Sequence, residues 1–280
     1  MPLVSALKQL YHDSRRKAEK IVRRWRYPIS HSDIVSALQT TIGEPCDILM
    51  VHSSLSRCGY IVDGPAAVIS ALGEFCSTLC MPTHTYCYSQ DDGAEAYDPR
   101  RTMSKVGSIT NYFWNQEGVE RSVHPTHSLA ARGPHAQQLC TNHHVCDTAC
   151  GLGTPYMRLI EADASVLMFG ATMNTYTLFH CSEDVVGCEY LYEAHSYKLK
   201  ALGHDGTPHE LQMRRQDMAV PRRFTEMREE LLGAGLLKAV TFGANELLYI
   251  PSSAAVHEYT VERLQANEYH LVKAAENTSV

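Results

Sequence analysis

The chain has 280 residues, 44% hydrophobic and 20% charged, enough to bury a substantial core in one large domain or two small ones. Its net charge is −6 with spread acids, which argues against nucleic acid or an anionic membrane as the main partner. No stretch approaches the ~18 apolar residues of a membrane span, and the charged start has no leader-type apolar core, so a cytoplasmic protein with reduced thiols is expected.

Residues 5–26, basic from Arg15 to Arg26, read as an amphipathic helix forming an N-terminal extension of about 1–30. A second helix is expected over Ser32–Gln39, with Ser32 as N-cap. Asp47–His52 is an apolar run of strand length that ends in the turn Ser53-Ser54. Gly64-Pro65 opens a helix to about Phe75, with proline at the first helical position. Thr78–Pro82 and Ser165–Gly170 read as strands, and the acidic segment Ser89–Pro99 as a long loop. Helices are expected over 106–116, 134–144, 174–184 and 221–234, with a small-residue strand after Ser128. Further strands are expected at 197–200 and 246–250, with a connector or insertion over Gly203–Met218 between them. A final helix runs from Ser253 to about Ala275. Strands alternating with helices, without repeat or long linker, predict a single α/β domain with two lobes.

Three segments concentrate chemistry. The first, Val51–Gly59, runs a strand into a Ser-rich turn whose hydroxyls and N–H groups suit phosphate oxygens, although Ser-Ser there is also an ordinary turn. The second, Gly118–Gly133, gathers Arg121, Ser122, His124, His127 and Ser128. A guanidinium with adjacent hydroxyls suits an anionic ligand, and the two histidines fit a structural role equally well. In the third, Met173–Asp184, helical spacing puts Thr177, His180 and Glu183 on one face. Glu183 could hold one imidazole nitrogen and leave the other as a base.

Taken in order, His-Ser-Ser-Leu-Ser (52–56), Gly-Pro (64–65), Thr-Leu-Cys-Met-Pro-Thr (78–83), Asp-Pro (98–99), Arg-Ser-Val-His-Pro-Thr-His-Ser (121–128), Gly-Leu-Gly-Thr-Pro (151–155) and Thr-Leu-Phe-His-Cys-Ser-Glu (177–183) resemble the aminoglycoside 3-N-acetyltransferase family. The match is close over Asp47–Tyr190 and loose beyond. Ser77 stands where the family often has glycine, the N-terminal extension is longer than the resemblance requires, and 197–250 carries no matching motif.

The resemblance implies a three-layer α/β/α sandwich over 1–280, distinct from GCN5-like acetyltransferases. It also implies acetyl transfer from acetyl-CoA, without a metal, to the 3-amino group of the 2-deoxystreptamine ring of an aminoglycoside. His180 would be the general base and Glu183 its orienter, while Ser53, Ser54, Leu55, Arg121, Ser122 and Ser128 would line the coenzyme A site. An amine acceptor calls for acidic or polar neighbours, here Asp98, Thr177, Asp184 and Glu189, joined by Asp91, Asp92, Glu95 and Glu193. Another amino sugar or natural-product amine is the alternative acceptor, and a homodimer is kept as an expectation.

Two rival readings make different demands. Acyl transfer through a thiol would use Cys58 or Cys181, and Cys181 points about 100° away from His180 on a helix. A metal-binding hydrolase or a non-catalytic amine-binding module would use His124, His127, His143, His144, Cys146 and Cys150, which lack paired Cys-x-x-Cys or His-Glu-x-x-His spacing.

Overall fold

The computed structural model describes residues 28–87 and 96–273. The basic N-terminal segment, expected as a helix, and the acids Asp91, Asp92 and Glu95 lie outside the described residues.

Helix α1 (His31–Thr41) is capped by Ser30 and not by the Ser32 expected. The Ser30 hydroxyl accepts the Asp33 N–H while Asp33 accepts the Ser30 N–H, a reciprocal box that Ser32 cannot form from inside the helix. Strand β1 (Cys46–Ser53) leads through the short α2 (Leu55–Cys58) and the proline-opened α3 (Pro65–Gly73) to β2 (Cys76–Pro82). Next come α4 (Ser108–Trp114), the short β3 (Glu120–Arg121), β4 (Leu129–Arg132) and α5 (Ala136–Cys140). The chain continues with α6 (Pro155–Glu161), β5 (Ser165–Phe169) and α7 (Phe179–Val186). The last third holds β6 (Tyr192–Leu202), β7 (Pro208–Gln216), α8 (Met227–Gly233), β8 (Lys238–Phe242), β9 (Asn245–Ile250) and α9 (Ser253–Ala266).

Seven strands form one sheet in the order β3-β4-β2-β1-β5-β9-β8. The three central strands are parallel and the outer pairs antiparallel. The parallel strands read as continuous apolar runs because both faces are covered. Ile48 and Met50 of β1 face a core shared with α5, α6, α7, α8 and α9, while Leu49 and Val51 face a core shared with α1, α3 and α4. This is the three-layer α/β/α arrangement expected, in a single domain. The second lobe is the antiparallel hairpin β6–β7, set over a small core of Tyr97, Val123, Leu199, Ala201, Leu211 and Met213.

The polar stretch 203–218 therefore contains a strand, not a connector. Its residues alternate between buried Leu211 and Met213 and exposed neighbours, and Pro208 and Gly206 mask that pattern from the N-terminal side. Leaving β1, the chain passes to β2 on one side and later to β5 on the other, so the sheet's order switches at β1. In open α/β sheets, ligands bind outside the carboxyl ends of the strands at such a point.

Candidate active site

The carboxyl end of β1 carries the Ser-rich turn. Ser53, Ser54 and Leu55 are half-buried there, and the Ser53 hydroxyl is enclosed without a protein partner among the described residues. Gly170, at the end of β5, closes against this turn with φ of 68°. A Cβ at this glycine would collide with Cys58 Sγ and lie 2.9 Å from the Ser54 carbonyl oxygen.

Helix α7 starts after a 3-10 turn at Met173–Thr175 and ends at Gly187, whose left-handed conformation lets its N–H reach back to Glu183 and Asp184. His180 Nδ1 and Glu183 Oε2 are 2.6 Å apart. The other carboxylate oxygen of Glu183 accepts a hydrogen bond from Arg222 Nε at 2.8 Å. Glu183 is fully buried, so its charge needs such partners, and Arg222 in turn stacks over Tyr190 at 4.7 Å. An ionised carboxylate only accepts, so His180 Nδ1 donates and Nε2 keeps its lone pair. Phe224 packs its ring edge against His180 at 5.1 Å between centroids. Arg222 and Phe224 were missed from sequence. The sequence placed them inside a helix over 221–234, but α8 starts only at Met227, and the fold brings the irregular stretch before it to α7.

The Arg121–Ser128 segment forms a tight excursion between β3 and β4, docked on the chain leaving β2. Arg121, Ser122 and Ser128, expected to line the coenzyme A site, have side chains engaged by the protein itself. The Arg121 guanidinium is 2% exposed and donates to Thr83, Pro99, Thr102 and Ser128, with Trp114 and Tyr97 stacked against it. Ser122 accepts the Leu129 N–H and meets His143 Nδ1, and Ser128 donates to the Thr83 carbonyl. These side chains brace the wall and have few donors left for phosphate.

Histidines surround the same space. His84 has Tyr156 at 2.8 Å and Tyr86 at 3.2 Å on its two ring nitrogens, and its ring lies 4.4 Å from that of His127. His124 stacks on His143 at 4.1 Å. Burial pushes the conjugate acids of His52, His127 and His143 down to about 3, and those of His84 and His124 well below the ordinary range. All five are neutral rings near pH 7, and four of them hydrogen-bond to neighbours while His52 Nε2 is enclosed without a partner.

Of the residues expected at the acceptor side, Thr177 is buried at the entry to α7 and its carbonyl accepts the His180 N–H. Asp184, one turn after His180, accepts the Tyr192 hydroxyl at 2.5 Å, and Gly151 leaves it room. Glu189 is exposed beyond α7. Asp98 has both its oxygens taken by Arg100, whose bonds hold the carboxyl below its ordinary range. Glu193 is likewise paired, with Arg215 and Tyr197.

The rival chemistries fare poorly. Cys181 is fully buried with its thiol pushed well above the ordinary range, and burial lifts Cys58 to about 12. Among the described residues, no three His, Cys, Asp or Glu side chains are grouped to hold a metal ion. His143 instead bonds Ser122 and Ala149.

His180, held by a buried carboxylate that Arg222 holds in turn, stands on the helix that follows β5. The family model described as aminoglycoside 3-N-acetyltransferase matches residues 50–265, and the chain belongs to that family. Aminoglycoside N(3)-acetyltransferase VIII of Streptomyces fradiae is 29% identical over 184 residues, 59% of this chain and 64% of the relative. The SPbeta prophage-derived aminoglycoside N(3')-acetyltransferase-like protein YokD of Bacillus subtilis is 27% identical over 187 residues, 59% of this chain and 68% of its own. The chain thus spans about two thirds of the length of these curated relatives. The crystal structure of aminoglycoside acetyltransferase AAC(3)-Xa superposes with a TM-score of 0.75 at 26% identity, covering 92% of this chain and 99% of that one. An AAC-IIIb structure described as binary with CoASH superposes with a TM-score of 0.74 at 23% identity, over 86% of this chain and 97% of that one. No helix among the described residues is long and apolar enough to cross a membrane.

Proposed function

We propose that the protein transfers the acetyl group of acetyl-CoA directly to an amino group of an aminoglycoside, the 3-amino of its 2-deoxystreptamine ring, with His180 as general base. The observation that carries this reading is the His180–Glu183–Arg222 chain. It fixes the ring and leaves Nε2 as the basic nitrogen. An ammonium cannot attack a thioester, so an acceptor amine must lose a proton before or as the C–N bond forms. His180 Nε2 takes that proton. It then gives it to the departing thiolate, so the imidazole ends the cycle uncharged.

The turn Ser53–Leu55 at the carboxyl end of β1 is the site assigned to coenzyme A, supported by the enclosed Ser53 hydroxyl and by the switch in strand order. Binding both reactants at this edge supplies part of the acceleration by orientation. Asp184 and Glu189 at the end of α7, with Thr177 at its start, form the acceptor side. Coenzyme A and a gentamicin appear in the descriptions of structures sharing this fold, which supports both substrate classes.

Incubating the protein with acetyl-CoA and a panel of aminoglycosides, gentamicin included, tests the reading. Thiol release accompanied by a product one acetyl group heavier is expected. Thiol release with only amino sugars of other classes would overturn the antibiotic acceptor and retain the chemistry. No acetylated amine with any acceptor would overturn both.

A further inference from the structure

Glu183 presents an electrostatic problem that its own helix does not solve. It is fully buried, and a neutral His180 takes one of its oxygens without supplying a charge. A carboxylate enclosed with neutral partners alone tends to take a proton and lose its charge. The cation that meets it is Arg222, whose Nε stands 2.8 Å from Oε1 with the side chain only 10% exposed.

Arg222 is held in place by the fold as well as by the ion pair. Its Nη1 donates to the Val220 carbonyl at 2.7 Å, and its guanidinium lies over the Tyr190 ring. The strap that carries it, residues 220–224, is fastened to the chain after α9. Arg222 bridges Val272, the Arg223 N–H donates to Leu271 and the Lys273 N–H donates to Pro221. Two positions on, Phe224 packs against both Phe179 and His180. The strap thus touches the imidazole and its carboxylate at once.

Among the described residues, the other titratable groups around the pair bring no second cation. Arg223 is turned to Glu230. Beyond the end of α7, Tyr190 and Cys188 are kept neutral by burial first and also by the Glu183 charge. On α7 itself, Cys181 is a neutral buried thiol and Asp184 is an acid held by Tyr192. From α9, His257 meets Ser182 at 2.9 Å, and burial pushes its conjugate acid down. His84 and His127 are neutral near pH 7.

We infer that Arg222 keeps Glu183 ionised and thereby decides that the lone pair of His180 lies on Nε2, the nitrogen assigned to take the amine proton. Arg222 acts through Glu183, as a positioning residue, and the inference rests on the base reading of His180 above. Without the Arg222 charge, the pair takes up one proton from solvent by one of two routes. A proton on Glu183 turns the carboxyl into a donor to His180 Nδ1, and the neutral imidazole then carries its own proton on Nε2. A proton on the imidazole fills Nε2 directly. Either route removes the lone pair from Nε2 near pH 7, and raising the pH restores it.

Three substitutions separate charge from packing. Arg222→Met keeps an apolar stem alone, Arg222→Gln adds a neutral donor, and Arg222→Lys keeps the charge. Proton–nitrogen-15 spectra of the imidazoles near pH 7 read the ring directly, with the His180 signals identified by their absence from His180→Gln. Wild type and Arg222→Lys are expected to show Nδ1 protonated and Nε2 free, and Arg222→Met and Arg222→Gln to show Nε2 protonated. In the last two, kcat near pH 7 is expected to fall about 100-fold, the usual share of a general base, and to recover as pH rises. KM for acetyl-CoA should change little, and Arg222→Lys should keep most of the activity.

A folded Arg222→Met or Arg222→Gln protein whose His180 keeps Nε2 unprotonated near pH 7 would overturn the inference, whatever its activity. Wild-type His180 with its proton on Nε2 would overturn it as well, without recourse to any variant. The spectra require no acetyl transfer. A protein that acetylates no amine would therefore overturn the transfer reading, while the protonation of the ring still decides for or against Arg222.

Discussion

His180, the proposed base, is held by Glu183 and, through it, by Arg222. Glu183 fixes which nitrogen carries the proton, and Arg222 offsets the charge of a carboxylate with no access to water. Helical spacing made the first partner readable in the sequence. Arg222 lies 39 residues beyond Glu183, and no local pattern announces it. The five neutral histidines around the site carry a consequence for stability. His52, His127 and His143 protonate at about 3 in the folded chain against an ordinary 6.5. Below pH 6.5 the unfolded chain therefore binds protons that the folded chain refuses, and stability falls as pH drops from 6.5 toward 3. Each such histidine steepens the fall by up to ~1.4 kcal/mol per pH unit. Urea unfolding across a series of buffers from neutral pH down to about 4 should show this decline, and replacing His143 by Gln should make it shallower. A pH-independent midpoint over that range would contradict the burial of these rings as neutral species.

At the scale of elements, the site is a meeting of strand ends and one helix. The turn after β1 can close only because Gly170 adds no side chain where Cys58 and Ser54 approach. Gly170→Ala is expected to cost about 1–3 kcal/mol of stability, through strain at a positive φ and the contact with Cys58. It should also raise KM for acetyl-CoA more than it lowers kcat, since it displaces Ser53–Leu55 and not α7. Steady-state kinetics with varied acetyl-CoA checks the split, and a change in kcat alone would count against placing the coenzyme at this turn. The central strands and most helices were legible in the sequence, because uninterrupted apolar runs and a proline at a helix start are local signals. The surroundings of Arg121 were not legible in the sequence, for a physical reason. Composition shows that a guanidinium sits among hydroxyls, but not that carbonyl oxygens of Pro99, Thr102 and Thr83 already occupy its donors. Likewise α6 and β8 went unseen. The first is a buried seven-residue helix without amphipathic contrast, and the second an edge strand of five.

At the scale of the whole molecule, the hairpin β6–β7 lies beyond the stretch where the sequence motifs match closely, and it reaches the end of α7 beside the residues proposed for the acceptor. Its link to α7 is the Tyr192 hydroxyl on Asp184, and Arg214 stacks on the Tyr192 ring at 4.1 Å. Removing that hydroxyl frees the Asp184 carboxylate and loosens the hairpin's seat. Tyr192→Phe should therefore change KM for the amine and leave KM for acetyl-CoA unaltered. Equal changes in both would mean that the hairpin does not separate the two substrates. The proposed chemistry turns on one nitrogen atom, Nε2 of His180. The most direct test of what that atom does compares wild type with His180→Ala in a single turnover at saturating acetyl-CoA and acceptor. Acetyl transfer at least ~100-fold slower is the expected result, the usual share of a general base. An unchanged rate in a correctly folded His180→Ala protein would contradict the assignment of His180 as the base.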